Sequence, residues 1–437
     1  MHGLDSINTI LRKHVDYRSR SLNLIGSEVP PSPTVRRYLT TDFVCRYANY
    51  NDDPKVRIYR GMKYITELEL VTHDLVEELF NAKFVDLRPL GGESADAGVI
   101  MAFTKPGDTV IETGPGYGGQ MAATRIQGTT PHSAAPPLTR GLFNVEYWPY
   151  DIKTHQIDVE KASEMVRKKK PSLLIMGRAQ ILFPPEPVKE IKEVAEEVGA
   201  CLAYDASHVF GLMAGKQFPN PLDDGADVLM GSHTKTFPGP QGGMALTNSE
   251  ETYYQMQGGK GGRFCGAIIC NYHFNRIAAL AVALAEMKQY GEAYARQIVK
   301  NSQALGKAMH ELGFKVLYPE LGFSRTHMIV VDVTEFGGGS KQARLLEESN
   351  IFVDSQSIPM DLVKGTSGSG LRMGTQESTR TSMKEKDMAE VAQFLKAVII
   401  DHEDPKAVAD AVAKFKSEFN RFAFSFDDGV NPYEPFY

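Results

Sequence analysis

The stretch Gly231-Ser232-His233-Thr234-Lys235-Thr236-Phe237-Pro238-Gly239-Pro240-Gln241-Gly242-Gly243 follows directly on a short apolar run, Asp227 to Met230. It places one lysine among hydroxyl, proline and glycine residues. A lysine at a strand end can lose solvent, lower its pKa and attack a carbonyl as a free amine. Upstream, Ala203-Tyr204-Asp205-Ala206-Ser207-His208 ends another apolar run on a carboxylate. Two reactive groups, each closing a buried strand, predict an α/β domain whose chemistry sits at the carboxyl ends of a parallel sheet.

The surrounding sequence carries the same pattern. From about residue 70 to residue 250, helical and strand periodicities alternate, which predicts a largely parallel sheet. Glu67 to Phe80 reads as a helix, Phe84 to Arg88 and Asp108 to Glu112 as strands, and Pro171 to Gly177 as a buried strand. Val188 to Val198 is an amphipathic helix with Gly199 at its C-cap. Cys201 to Asp205 and Asp227 to Ser232 are the next two strands. A second region starts near residue 290, with helices over Arg296 to Leu312 and Ser340 to Ser349. Met328 to Val333 and Gly370 to Gly374 are its strands, and Met383 to Asn420 is mostly helical. The expected division is an N-terminal arm (1–40, with Pro30, Pro31 and Pro33), a large domain (41–290) and a smaller α+β C-terminal domain (291–437).

Composition narrows the function classes. The chain has 437 residues, 42% hydrophobic and 23% charged, and a net charge of -6. These are globular values, and the negative balance predicts neither a nucleic-acid nor a membrane-surface partner. Four cysteines (Cys45, Cys201, Cys265, Cys270) show no CxxC spacing, which fits a reduced, cytoplasmic protein with no metal site. No apolar run reaches the roughly 18 residues of a membrane span. Arg167-Lys168-Lys169-Lys170 before Pro171 reads as a solvated helix end.

A Schiff-base lysine with an acid able to pair with a pyridinium nitrogen is what a pyridoxal-phosphate (PLP) enzyme requires. Three more segments extend the reading. Leu90-Gly91-Gly92-Glu93-Ser94-Ala95-Asp96 lies between a strand and a helix starting near Glu93. Its glycines let backbone N–H groups approach a phosphate, though a plain tight turn accounts for Gly-Gly equally well. In that reading Glu93 caps the helix, pointing away, and Ser94 supplies a hydroxyl. Tyr117, in Gly114-Pro115-Gly116-Tyr117-Gly118-Gly119, can stack on a flat cofactor or cover its own loop. Arg372, between Leu371 and Met373, can grip a substrate carboxylate or make a structural ion pair. His208, three residues after Asp205, is a cofactor contact or a histidine satisfied by backbone.

With these residues in place, the chain resembles the serine hydroxymethyltransferase family of fold type I PLP enzymes. The resemblance runs from Leu22-Asn23-Leu24-Ile25-Gly26-Ser27-Glu28 through Arg46-Tyr47-Ala48, Tyr59 to Gly61 and the lysine motif to Ser369-Gly370-Leu371-Arg372-Met373-Gly374-Thr375. The Phe-Pro-Gly-Pro-Gln-Gly-Gly form is similar to archaeal-type members. The resemblance implies that Lys235 carries the Schiff base, Asp205 faces the pyridine nitrogen and His208 meets the ring oxygen. It also implies that Gly91, Gly92, Glu93, Ser94, Tyr117 and Ser232 surround the cofactor, and that Ser27 and Arg372 hold the amino-acid carboxylate. Tyr47 and Tyr59 would lie near the reacting centre. Gly261 and Gly262, in Gly258-Gly259-Lys260-Gly261-Gly262, match a loop that reaches a neighbouring subunit's phosphate, which implies a homodimer or a tetramer built from it.

The departures are concentrated around the same centre. Asn49 stands where the family has a glutamate that handles protons in folate-linked transfer, and an amide cannot titrate. Tyr117 replaces a stacking histidine, Glu93 a serine, Thr234 a histidine (with His233 displaced by one) and Ala179 a serine. The expected activity is therefore aldol-type Cα–Cβ cleavage or formation on a β-hydroxy-α-amino acid such as serine or threonine, with protonation or transfer to an aldehyde, and without tetrahydrofolate. The alternatives are tetrahydrofolate-dependent glycine/serine interconversion, a decarboxylase or aminotransferase variant, and a non-catalytic PLP-binding member.

Overall fold

The computed structural model describes residues 3–120, 122–126, 141–266 and 268–433. The chain forms two compact units, one of residues 34–291 and one of residues 1–33 with 292–437. The first contains a seven-stranded sheet. Its strands are β1 (Phe84–Asp86), β2 (Thr109–Glu112), β3 (Asn144–Tyr147), β4 (Leu173–Met176), β5 (Cys201–Asp205), β6 (Val228–Ser232) and β7 (Gly243–Thr247). They run in the order β1-β7-β6-β5-β4-β2-β3. Only β7 is antiparallel to its neighbours within this sheet.

Every residue of β4 is buried, and so is every residue of β6. Apolar runs without alternation are what a sheet covered on both faces demands. Leu173, Leu174 and Ile175 contribute about 1.5–3 kcal/mol each by leaving water. Helix α1 (Gly92–Phe103) follows β1, and α2 (Val188–Val198) precedes β5 and buries Val188, Ile191, Val194 and Ala195 at helical spacing. The lysine stretch is the return between β6 and β7, with Ser232 paired to Gly243 and Gly231 to Met244. β7 itself was not expected from the sequence, because a five-residue strand beginning on Gly242-Gly243 looks like more of the loop.

The other unit has a four-stranded antiparallel sheet of β8 (Lys315–Val316), β9 (Met328–Asp332), β10 (Asp354–Gln356) and β11 (Gly370–Gly374), ordered β8-β9-β11-β10. Leu305, Ile329, Val331, Leu371, Met373 and Leu395 form part of its core. Residues 22–23 pair in parallel with 351–352, and so tie the N-terminal segment to this unit. The helix expected from Arg296 starts much earlier, at Phe274, and continues to Glu311. Among the described residues, no helix is long and apolar enough to cross a membrane.

Candidate active site

Asp205 closes β5 and is 4% exposed. The Ser207 N–H donates to its Oδ1 at 2.8 Å, whereas Oδ2 has no hydrogen-bond partner among the described residues. Both neighbouring strands give way to it. A side chain at Gly231 of β6 would sit 2.7 Å from Asp205 Oδ1 and 2.5 Å from Ser207 Oγ; at Gly177, just past β4, it would be 2.1 Å from Asp205 O. Gly231 also has φ +138°, where other residues are strained. Ser207 Oγ in turn accepts from Ser232 N at 2.8 Å and locks the loop after β5 to the end of β6.

Lys235 is half-buried, three residues past β6. Its neighbour Thr236 fixes its place: Thr236 Oγ1 donates to His208 O at 2.8 Å and accepts from Gly211 N at 3.1 Å. One hydroxyl thus clamps the lysine loop to the loop that carries Asp205 and His208. The charges of Lys235 and Asp205 act on each other: burial pushes the Asp205 carboxyl up, opposed by the Lys235 ammonium, by hydrogen bonds from Ser207 and by the Gln120 amide. His233, displaced from the family's position, is fully buried beside Arg276. Burial and then the Arg276 charge hold its pKa at about 3, so it is neutral.

The glycine-rich turn opens α1. Gly92 packs so closely on Ser207 and Ser232 that a Cβ there would lie 3.1 Å from Ser207 Oγ and 3.2 Å from Ser232 N. The capping expectation is corrected by the structure. Ser94, not Glu93, caps the helix: its Oγ accepts from Gly91 N at 3.0 Å and donates to Gly91 O at 2.8 Å. Glu93 is exposed and pairs with Arg125 at 2.6 Å. A carboxylate drawn outward leaves the first-turn N–H groups of α1 as the anion-attracting element there. One turn further, Asp96 is 1% exposed and neither of its carboxyl oxygens has a hydrogen-bond partner among the described residues. Asp96 was missed at the sequence level; its spacing of four from Gly92 was the available signal.

Tyr117 is nearly buried and stacks on Tyr150, with ring centroids 4.4 Å apart and an interplanar angle of 18°. Asn49 is 5% exposed, and its Nδ2 donates to Cys270 O at 2.7 Å. Tyr47 and Tyr59 form an edge-on pair, centroids 5.8 Å apart, and are 50% and 44% exposed. Gly261 N donates to Asp52 Oδ2 at 2.8 Å, and Gly262 packs on the Gln257 backbone, where a Cβ would lie 2.0 Å from the carbonyl oxygen.

In the unit of residues 1–33 and 292–437, Arg372 lies at the centre of β11, 4% exposed, and donates from Nη2 to Asp354 Oδ2 at 2.6 Å. The ion-pair alternative is therefore realised, while a Cβ on Gly26 would come within 3.4 Å of Arg372 Nε. The Gln376 amide holds the loop bearing Ser27 through Ile25 O at 2.7 Å and Glu28 O at 2.9 Å.

These groups fit PLP. Asp205 Oδ2 is a buried acceptor with no hydrogen-bond partner by geometry among the described residues, and a protonated ring nitrogen would supply a donor. The α1 N-terminus suits a phosphate. The half-buried Lys235 suits an aldehyde carbon. A broad cleft lined by Lys105, Asp108, Ser172, Lys192 and Cys201 opens at the amino ends of the strands and contains none of these groups.

A family model described as serine hydroxymethyltransferase matches residues 3–395. The chain is 41% identical over 433 residues to a Pyrococcus furiosus protein named serine hydroxymethyltransferase, covering 98% of this chain and 97% of that one. A Korarchaeum cryptofilum protein of the same name is 40% identical over 428 residues, 97% of each. A crystal structure of L-threonine transaldolase from Pseudomonas fluorescens is similar at TM-score 0.85 and 28% identity, covering 97% of this chain and 94% of that chain.

Proposed function

Because this chain belongs to the serine hydroxymethyltransferase family and is a fold type I PLP-dependent enzyme, we propose that it breaks and forms the Cα–Cβ bond of a β-hydroxy-α-amino acid without tetrahydrofolate. When bound, PLP supplies the electron sink for the bond broken at Cα. Lys235 is the amine that holds the cofactor, and Asp205 Oδ2 keeps a proton on its ring nitrogen. His208 is assigned to the ring oxygen, and Gly91, Gly92 and Ser94 to the phosphate end. Arg372 and Ser27 are assigned to the carboxylate of the amino acid; fixing that group selects which Cα bond is aligned for cleavage. A second copy of the chain is proposed to complete the site, with the exposed Tyr47, Tyr59 and Gly261–Gly262 loop as its contacts.

The observation that carries the folate-independent reading is Asn49. Its amide donates to the Cys270 carbonyl, a position where a carboxylate would face another oxygen. No proton can be taken up or released there. The likeness to a threonine transaldolase supports threonine as donor and an aldehyde as acceptor. The second reading, glycine/serine interconversion with tetrahydrofolate, is supported by the names of the relatives near 40% identity.

The test incubates the purified protein with L-threonine and a second aldehyde, with and without tetrahydrofolate, and follows acetaldehyde and new β-hydroxy amino acid. The expected result is folate-independent turnover that falls by about three orders of magnitude or more in Lys235→Ala. Turnover that appears only with tetrahydrofolate would move the assignment to the second reading. A borohydride-trapped adduct on any residue but Lys235 would end both.

A further inference from the structure

Asp96 is a carboxyl group that the assigned chemistry leaves unused. It is 1% exposed, and both its oxygens are buried with no hydrogen-bond partner among the described residues. It lies four residues after Gly92, on the helical face that meets Ser207 and Ser232 at the ends of β5 and β6. A carboxylate without donors, enclosed by protein, is the least tolerable form of that side chain.

The charges facing Asp96 are identifiable. Asp205 approaches from the end of β5 and Lys235 from beyond β6; Glu93 lies on α1 itself and Glu112 at the end of β2. Glu93 is engaged outward with Arg125. Glu112 accepts from the backbone of Ala123 and Thr124, both at 3.0 Å. On the other side of α1, the Cys265 thiol donates to Ser94 O at 3.2 Å; its pKa is pushed up to about 12 by burial, so it is neutral. The cluster therefore contains three neighbouring acids and one ammonium. The helix N-terminus favours an anion at Asp96, but burial first, and then the Asp205 charge, raise its pKa well above the carboxylate range despite Lys235.

We infer that Asp96 is a positioning residue of the Lys235–Asp205 site: it retains its proton and leaves Asp205 to carry the negative charge beside Lys235. The two acids divide the work. Asp205 has the Ser207 N–H to stabilise its charge, and Asp96 has no such donor. A neutral Asp96 adds no further negative charge to a cluster that already contains three other acids. Ionising it adds a negative charge beside the cofactor, which holds protons there more tightly. This inference rests on the assignment of Asp205 to the ring nitrogen.

The experiment uses the full-length holoenzyme. Carboxyl signals of protein labelled with 13C-aspartate are followed by NMR across pH, beside the absorbance of bound cofactor. In the wild type, one aspartate signal stays in the protonated form at pH 7 and disappears in Asp96→Asn. The absorbance of Asp96→Asn overlays that of the wild type at pH 7, and an alkaline step seen in the wild type is missing. Absence of any protonated aspartate at pH 7 overturns the inference and needs no variant. So do superimposable absorbance titrations of the two proteins over the whole range. A borohydride adduct on Lys235 in the same preparation separates these failures from failure of the functional reading.

Discussion

The surroundings of Asp205 and of Arg372 differ in whether the central charged side chain is already held in an ion pair with an opposite charge. Around Asp205, Oδ2 of that residue, Ser232 Oγ and both oxygens of Asp96 are enclosed without hydrogen-bond partners among the described residues. Around Arg372, the guanidinium already holds Asp354, and the Gln376 amide nitrogen secures the adjacent loop, while Gln376 Oε1 has no partner among the described residues. An enclosed polar atom without a partner carries a desolvation cost that a bound molecule can relieve. An existing ion pair must instead be shared or exchanged when a ligand arrives. On the proposed assignment, the first region would hold a resident cofactor and the second a carboxylate that comes and goes.

The largest expected effect comes from making the same small change in both regions. Gly231→Ala places a methyl group 2.5 Å from Ser207 Oγ and 2.7 Å from Asp205 Oδ1, at φ +138°. It should cost about 3 kcal/mol in a urea titration through backbone strain and overpacking, and weaken cofactor retention more than about tenfold, a 1.4 kcal/mol step. Gly26→Ala meets only the edge of Arg372 at 3.4 Å and should change stability by less than about 0.5 kcal/mol. Equal costs at the two positions would remove the distinction.

Arg372 gives the next effect. Arg372→Ala leaves Asp354 unpaired at a site where that carboxylate is 24% exposed. The loss should be about 1–3 kcal/mol, below that of a fully enclosed pair. KM for the amino acid should rise as well. Asp354→Ala frees the guanidinium and should lower KM or leave it unchanged. The double variant should regain part of the stability and none of the affinity. If KM is the same in all three variants, Arg372 serves only the ion pair.

What could be read in advance follows the same division. Asp205 ends an uninterrupted apolar run and Lys235 follows another by three residues beyond its strand, so strand pattern placed both near the carboxyl ends of the sheet. The helix over Val188–Val198 was legible from its apolar spacing, and the structure gives it the same limits. The Phe274–Glu311 helix was half missed, since Ile277 to Leu284 is apolar all round and lacks the periodicity of a half-exposed helix. Asp96 was not legible because an acid in the first turns of a helix normally complements the dipole in water. What makes it unusual is enclosure by residues more than a hundred positions away. The Ser94 cap was misassigned for a related reason: Glu93 and Ser94 are both plausible caps, and the choice fell to Arg125, which draws the glutamate outward.

The smallest effect concerns an exception within the Arg372 unit. Lys416 is 2% exposed, and its Nζ donates to Phe419 O at 2.8 Å. Burial lowers its pKa from 10.5 to about 8, with Glu377 opposing and Arg18 assisting. Below pH 8 the amine is protonated both folded and unfolded, and folding bears the full cost of enclosing the charge, on the order of 3 kcal/mol. As pH rises from 8 toward 10.5, the folded protein releases the proton first and the cost fades. Lys416→Met should therefore be more stable than the wild type at pH 7, and the difference should shrink across that window in paired urea titrations. Parallel curves would mean that the Phe419 carbonyl and Glu377 satisfy the ammonium completely. The Arg372 unit would then contain no unrelieved charge at this position, and its contrast with the Asp205 region would be the sharper for it.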